Sequence, residues 1–331
     1  MTPNTPAAPR WADGRPRVAA AIPCYRVKRH ILTLLSAIGA EVGAIYVVDD
    51  ACPEGSGDWV ASGCDDPRVR VLRHTQNQGV GGATITGMRQ ALADGAEVII
   101  KLDGDGQMDP AFVPTLIAPI LAGEADYAKG NRFFDPESVA QMPTGRIIGN
   151  AVLSFLAKLS TGYWDIFDPT NGFLAIHARV AARLPWEKLA RGYFFETDML
   201  FRLNTLRAVV MDAPMSARYG DEASGLNGWR EAPRFLAGHA RCLLKRLFYN
   251  YYLRDFSVAS LELPLGVALL LFGVIFGAWK WLTGYQTGAF SSAGTVMLAA
   301  LPVLLGVQLL LAFLQHDARS VPRAPLHKRL R

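Results

Sequence analysis

Two stretches near the carboxyl end of the chain, Leu263–Leu282 and Ala293–Leu314, are almost wholly apolar. Each runs about 20 residues, enough to cross ~30 Å of hydrocarbon at ~1.5 Å per residue. They read as a helical hairpin in a bilayer, so the rest of the chain must fold outside it. The link Thr283–Ser292 carries no charge. Arg241, Lys245, Arg246 and Arg254 precede the pair, and Arg319, Arg323, Lys328, Arg329 and Arg331 follow it. Basic residues on both outer flanks put both flanks in the cytoplasm, at the inner (plasma) membrane. Trp279 and Trp281 suit the far interface, where Lys280 can snorkel. The net charge of +5 gathers near the spans and points to an anionic membrane surface, not to nucleic acid. Paired spans often pack between protomers, so a homo-oligomer is compatible with the sequence.

The chain divides accordingly. Residues 1–16 are Pro- and Ala-rich and read as a flexible tail, residues 17–229 as a domain folded outside the bilayer, 230–256 as amphipathic juxtamembrane helices, 257–315 as the hairpin and 316–331 as a basic cytoplasmic tail. On a helical wheel Leu236, Leu243, Leu244, Leu247 and Tyr251 share one face, with Arg234, Arg241, Lys245 and Arg246 off it. That fits a helix lying in the headgroup layer. The four cysteines (Cys24, Cys52, Cys64 and Cys242) show no paired spacing and read as reduced thiols, with no zinc site.

The first half alternates short apolar runs with helical patterns. Val18–Ile22 is a strand ended by Pro23, and a helix follows over about Lys28–Ala40. Ala44–Val48 is a strand ended by Asp49-Asp50, and Val69–Leu72 is a third. Asn77-Gln78-Gly79-Val80-Gly81-Gly82-Ala83 opens a helix to about Ala93. The fourth strand, Val98 to Leu102, stops at Asp103-Gly104-Asp105-Gly106-Gln107. This alternation predicts a doubly wound, mostly parallel α/β sheet. Ligands of such sheets bind beyond the carboxyl ends of the strands. Three strand ends therefore converge: Pro23-Cys24-Tyr25, Asp49-Asp50 and Asp103-x-Asp105. The glycine-rich helix start beside them favours phosphate. Two carboxylates one residue apart suit Mg²⁺ or Mn²⁺ shared with substrate phosphates, although an Asp-Gly turn in solvent has the same spelling. No Gly-x-x-x-x-Gly-Lys-Ser/Thr and no Gly-x-Gly-x-x-Gly after the first strand occurs, so neither a Walker loop nor a dinucleotide fingerprint is present.

Ile22-Pro23-Cys24-Tyr25, Val47-Val48-Asp49-Asp50, Asn77 to Ala83 and Leu102 to Gln107, in that order, resemble the motifs of family 2 glycosyltransferases with the GT-A fold. The branch they resemble holds dolichol-phosphate mannose synthases and bacterial polyprenyl-phosphate glycosyltransferases. One departure is Asp49-Asp50-Ala51-Cys52-Pro53, where the family usually has a Ser soon after the acids. The resemblance implies that Pro23, Tyr25, Asp49, Asp50, Asn77, Gly79, Asp103 and Arg132 bind the nucleotide-sugar. It implies that Asp103, Asp105 and Gln107 hold the metal, and that Arg132, Arg146 and Arg218 bind the acceptor phosphate. Asp168-Pro169-Thr170-Asn171-Gly172-Phe173 is similar to a turn of the same branch. Glu196 and Asp198 are placed near the sugar, and with Asp105 and Arg146 they form the expected catalytic set.

The implied reaction moves a hexose from a UDP- or GDP-sugar to polyprenyl phosphate, with inversion. A phosphate monoester has a second pKa near ~6 and is already a nucleophilic anion at neutral pH. Glu196 and Asp198 are then expected to position sugar or acceptor without abstracting a proton. Transfer to a glycolipid hydroxyl would instead need a base, with Asp198 the candidate. A non-enzymatic, membrane-anchored nucleotide-sugar sensor or scaffold is the other reading, and the intact acid pair argues against it. Processive polymer synthesis fits poorly, because Gln-x-x-Arg-Trp is missing and two spans are few for a channel.

Overall fold

The computed structural model describes residue 11 and residues 14–134, 144–215 and 228–330, without the side chains of Arg146 and of residues 228–231. The chain forms two compact units: Met1–Leu243 together with Pro322–Arg331, and Leu244–Val321.

The first unit is built on a seven-stranded sheet: β1 (Val18–Cys24), β2 (Val42–Asp49), β3 (Val69–Arg73), β4 (Val98–Lys101), β5 (Tyr127–Asn131), β6 (Leu174–His177) and β7 (Val210–Pro214). Its order is β3-β2-β1-β4-β6-β5-β7. The first four strands are mutually parallel, as expected. The chain steps outward from β1 to β3 and returns to β4 on the other side of β1. The switch point therefore falls between β1 and β4, where such sheets bind ligands. β6 runs antiparallel to both β4 and β5. Its start thus lies at the carboxyl edge of its neighbours, which carries the turn Asp168–Phe173 to that edge. β1 continues through Pro23 to Cys24, past its last pair with β4 (Ala21–Lys101), an end position where a strand tolerates proline.

The helices are α1 (Ile31–Ala37), α2 (Ser56–Gly63), α3 (Gly79–Ala93), α4 (Val113–Leu121), α5 (Thr144–Thr161), α6 (Ala178–Ala181) and α7 (Phe195–Leu206). α1 is shorter than the periodicity predicts and buries Ile31, Leu34 and Leu35. α3 lies close on the sheet at Gly87, where a Cβ would sit 2.9 Å from Ala21 Cβ and 3.2 Å from Val48 Cγ2. Of the expected flexible tail, residues 1–10, 12 and 13 lie outside the described residues. Trp11 packs on the sheet unit, donating from Nε1 to Asp94 O at 2.9 Å.

α8 (Gly228–Phe248) passes from the first unit into the second, continues as a π-helical turn Tyr249–Arg254, and leads to α9 (Val258–Thr287) and α10 (Ala293–Arg319). α9 and α10 are long and apolar enough to cross a membrane. Only 22% and 11% of their apolar windows are buried, which distinguishes them from core helices. They touch backbone to backbone through glycines. A Cβ at Gly306 would lie 2.7 Å from Leu270 N and 2.8 Å from Gly266 O, and one at Gly273 2.7 Å from Ala299 O. At one end of the pair Arg246 and Asp317, both nearly fully buried, form an ion pair (Nη1–Oδ1 2.6 Å, Nη2–Oδ2 3.0 Å). Tyr251 Oη donates to the same carboxylate at 2.6 Å. Arg246 faces protein, while Leu236 and Leu244 are exposed at 55% and 68%.

Gly306→Val forces the two backbones apart and costs about 1–3 kcal/mol by overpacking. A lower unfolding midpoint of the purified protein in detergent checks this.

Candidate active site

Each acid at the end of β2 fastens a loop. Asp49 accepts from Cys52 N (2.8 Å) and Gly57 N (3.2 Å), which holds the start of α2. Asp50, 2% exposed, accepts from Gln78 N and Gly79 N, both at 2.8 Å. Asn77 Nδ2 donates to Asp50 O at 3.2 Å, and His74 Nδ1 lies 2.7 Å from Asp50 Oδ1. The glycine-rich stretch therefore has a different reason from the one its sequence suggests. Gly82 N donates to Arg191 O, and a Cβ at Gly79 or Gly81 would lie 2.6 Å from the carbonyls of Arg191 and Ala190. Protein oxygens take the amides of Gln78, Gly79 and Gly82 where the sequence reading has phosphate. The glycines admit the 190–191 backbone, and Gly79 also needs a positive φ of 83°. Cys52, at the departure from the family pattern, keeps a loop contact through sulfur. Its Sγ accepts from Arg26 N at 3.1 Å and lies 3.1 Å from Ser56 Oγ. Tyr25 is exposed at the edge beside buried Pro23, with the Arg26 guanidinium 5.4 Å from its ring.

The end of β4 carries a cation that the sequence reading passed over. Lys101, 1% exposed, donates from Nζ to Asp103 Oδ1 (2.7 Å), Glu196 Oε1 (3.0 Å) and Gly172 O (3.3 Å). Burial alone would lower its pKa. The two carboxylates overcome that and hold its pKa above the ordinary lysine value. Gly172 is needed there, since a Cβ would sit 2.4 Å from both Asp103 Oδ2 and Lys101 Nζ. Asp105 is half-buried and accepts from Gln107 N at 3.0 Å. Gln107 enters the site through that amide, while the residue itself is exposed.

Lys101 and Lys129 both pair with Leu174 of β6, one from each side, so all three side chains share a face of the sheet. Lys129 is fully buried and donates to Asn171 O. Burial pulls its ammonium down to about 8, against nearby Glu196 and Asp168. Arg132 grips Asp168 through Nε (2.7 Å) and Nη2 (2.9 Å), and Asn171 Nδ2 donates to Gly130 O (2.7 Å). Three cations from adjoining positions thus hold the Asp168–Gly172 turn against the acid pair. Arg132 is placed as a clamp on that turn; the expected phosphate contact is a separate matter.

Glu196 and Asp198 both lie in the first turn of α7 and diverge. Glu196 turns to Lys101. Asp198 accepts from Ala190 N at 2.8 Å and pairs with Arg202 at 3.3 Å, so it holds the same 190 loop that packs on the glycines. Cys242 Sγ of α8 lies 4.0 Å from Asp198 Oδ1, and His239 Nδ1 lies 2.8 Å from Ser160 Oγ under the Phe194 ring. The protein-facing stripe of α8 is His239-Cys242-Arg246, at helical spacing. Sequence reasoning missed it because it is less apolar than the leucines. Arg218 and the Arg146 side chain lie outside the described residues.

Oxygen donors are the right chemistry for Mg²⁺ or Mn²⁺. Among the described residues no group of three or more His, Cys, Asp or Glu could hold a metal. The Asp103–Asp105 pair therefore fits a cation shared with a substrate's phosphates, not a cage made by protein alone.

The glycosyl transferase family 2 model matches residues 20–184. An undecaprenyl-phosphate mannosyltransferase of Micrococcus luteus is 30% identical over 60% of this chain and 83% of its own. A UDP-N-acetylglucosamine–dolichyl-phosphate N-acetylglucosaminyltransferase of Methanococcus voltae is 31% identical over 46% of this chain and 60% of its own. Among solved structures, glucosyl-3-phosphoglycerate synthase of Mycobacterium tuberculosis, in complex with Mn²⁺, UDP and glucosyl-3-phosphoglycerate, superposes with a TM-score of 0.53. It covers 70% of this chain and 80% of its own at 20% identity, a likeness of fold. The chain belongs to glycosyl transferase family 2, and its fold is the GT-A-like one that the motifs imply.

Lys101→Met leaves two carboxylates facing each other without their cation. A loss of about 3–5 kcal/mol in denaturant unfolding is expected. Adding Glu196→Gln, which removes one of the charges, should restore part of it. His239 is buried and held near pKa 4, below its ordinary ~6.5. The unfolded chain takes up that proton first, so this contribution is complete above pH 6.5 and falls away between 6.5 and 4. His239→Gln should flatten the stability–pH curve in that window.

Proposed function

We propose that the chain transfers a hexose from a nucleotide-sugar to polyprenyl phosphate at the cytoplasmic leaflet of the inner membrane, with inversion and with Mg²⁺ or Mn²⁺. One observation carries the reading. A carboxyl edge with an acid pair is continuous in one chain with two apolar helices, and similar proteins bear the names of undecaprenyl- and dolichyl-phosphate sugar transferases. The basic flanks of the helix pair support the cytoplasmic side.

Asp103 and Asp105 would hold the cation, which supplies charge neutralisation to the departing diphosphate. The Gln107 amide orients Asp105, and Lys101 orients Asp103 against Glu196. Asp49, Asp50 and Asn77 set the loops that wall the nucleoside site, with Tyr25 at its rim. Arg146 and Arg218 remain the candidates for the acceptor phosphate. Arg132 acts on the turn through Asp168. The acceptor's phosphate oxygen bonds to the anomeric carbon as the bond to the nucleoside diphosphate breaks, and the displacement inverts that centre. The acceptor arrives as an anion and needs no base. Engagement of Glu196 by Lys101 supports a positioning role for it. The binding of Asp198 to the Ala190 amide and Arg202 counts against a hydroxyl acceptor, which would rely on it as a base.

Membranes containing the protein, incubated with labelled UDP- and GDP-sugars, polyprenyl phosphate and Mg²⁺ or Mn²⁺, should make one label lipid-soluble. Asp105→Ala should lower that rate by about 10²-fold or more. Absence of lipid-soluble label with every donor overturns the reading. An Asp105→Ala protein at full rate removes the acid pair from it.

A further inference from the structure

The segment after the second span is not a free basic tail. Pro322–Arg331 belongs to the same compact unit as the sheet. It is received by Asp126, a fully buried carboxylate just ahead of β5. Oδ2 accepts from Leu326 N and Oδ1 from His327 N, both at 2.7 Å, and His327 Nδ1 lies 2.6 Å from Oδ1. The same carboxylate accepts from Val209 N at 2.7 Å, so one buried acid joins the tail to the strand region it docks on. The His327 ring stacks on His177 at the end of β6, with centroids 4.3 Å apart and planes 11° apart. Arg179 Nη1 donates to the carbonyls of His327 (3.4 Å) and Leu330 (3.1 Å). Gly123 leaves room for the Lys328 stem, since a Cβ there would lie 2.5 Å from Lys328 Cε. A chance contact of a terminal peptide does not bury a carboxylate on its backbone amides, because an acid so desolvated is costly unless fully bonded. This groove lies at the His177 end of β6. The Asp103–Asp105 site lies at the Leu174 end, so the tail is not part of the substrate pocket.

A second observation concerns the other unit. The ion pair Arg246–Asp317, with Tyr251, ties the helix that enters the hairpin to the helix that leaves it. The chain therefore enters and leaves the hairpin at one end, and both connections return to the sheet unit. We propose that Pro322–Leu330 is a strap, which attaches the catalytic unit to the membrane hairpin at a second point and restricts its motion relative to the lipid surface. On the reading under Proposed function, which this inference takes as given, the strap keeps the catalytic unit oriented for an acceptor phosphate that is confined to the bilayer. Attachment through α8 alone would leave the effective concentration of that phosphate lower, with no change in the chemistry at the site.

The test compares the full-length protein with a chain ending at Val321 and with His327→Ala, in vesicles containing polyprenyl phosphate and in detergent with a water-soluble short-chain prenyl phosphate. The truncated chain should lose about tenfold in rate on the vesicle acceptor and keep its rate on the soluble one, with the nucleotide-sugar KM unchanged, since only effective concentration is altered. His327→Ala should fall between the two. A synthetic peptide of residues 322–331 added in trans fills the groove without tethering it. It should raise the unfolding temperature of the truncated chain and fail to restore the vesicle rate. Equal loss on both acceptors, or rescue of the vesicle rate by the peptide, means that the tail only completes the fold, and overturns the proposal. An unchanged vesicle rate overturns it too. Spin labels, one on each unit, give a readout independent of the reaction. Their distance distribution should broaden on truncation, and an unchanged width overturns the strap. If the unaltered protein transfers no sugar but the distribution broadens, the strap stands and the acceptor reading fails.

Discussion

The contact on which the catalytic edge depends is one ammonium group shared by two carboxylates and a carbonyl. Lys101 is sealed from solvent, and among the described residues Asp103, Glu196 and Gly172 O accept its hydrogen bonds. Those partners come from three places in the chain: the end of β4, the first turn of α7, and the turn ahead of β6. The ammonium offsets the repulsion that two carboxylates sharing one site would otherwise feel. The lysine thus sets the spacing of the site before any substrate arrives. Its neighbours extend the same logic. Lys129 and Arg132 fix the Asp168–Gly172 turn from the other side of β6, and Asp50 and Asp198 fix the loops that enclose the glycine-rich helix start.

Much of this was legible in the chain itself. The apolar runs that end at Asp49-Asp50 and Asp103-x-Asp105 are buried strands of a parallel sheet, and their ends do converge, because a hydrophobic run stopped by acids has few other ways to fold. The two apolar spans became two apolar helices with little buried surface. The reversal of β6 could not be read, since four residues of strand look alike in either direction. Lys101 was passed over because a lysine next to Asp103 reads as the polar end of a strand, and its partner Glu196 is 95 residues away.

The glycine cluster and α8 show the limits of local pattern more sharply. Gly79 and Gly81 have the spelling of a phosphate-binding helix start, yet their missing side chains make way for the carbonyls of Arg191 and Ala190, contacts that no spacing rule reveals. On α8 Leu236 and Leu244 are exposed and Leu243 and Leu247 half-buried, while the most buried stripe holds a histidine, a cysteine and an arginine, each bonded to a polar partner far off in sequence. A wheel ranks faces by hydropathy and cannot know which polar groups will find partners. Asp49, Asp50 and Asp198 each accept from a backbone amide that sequence alone does not place.

On the function proposed above, this edge positions an acceptor that is already charged, so that no side chain need take its proton. The pH–rate profile of Glu196→Gln beside that of the unaltered enzyme tests it most directly. A lipid phosphate acting as its own nucleophile predicts that both profiles rise through an inflection near ~6, the second ionisation of a phosphate monoester, with Glu196→Gln lower in height and equal in shape. Disappearance of that acid-side inflection in Glu196→Gln would make Glu196 the base and contradict the account.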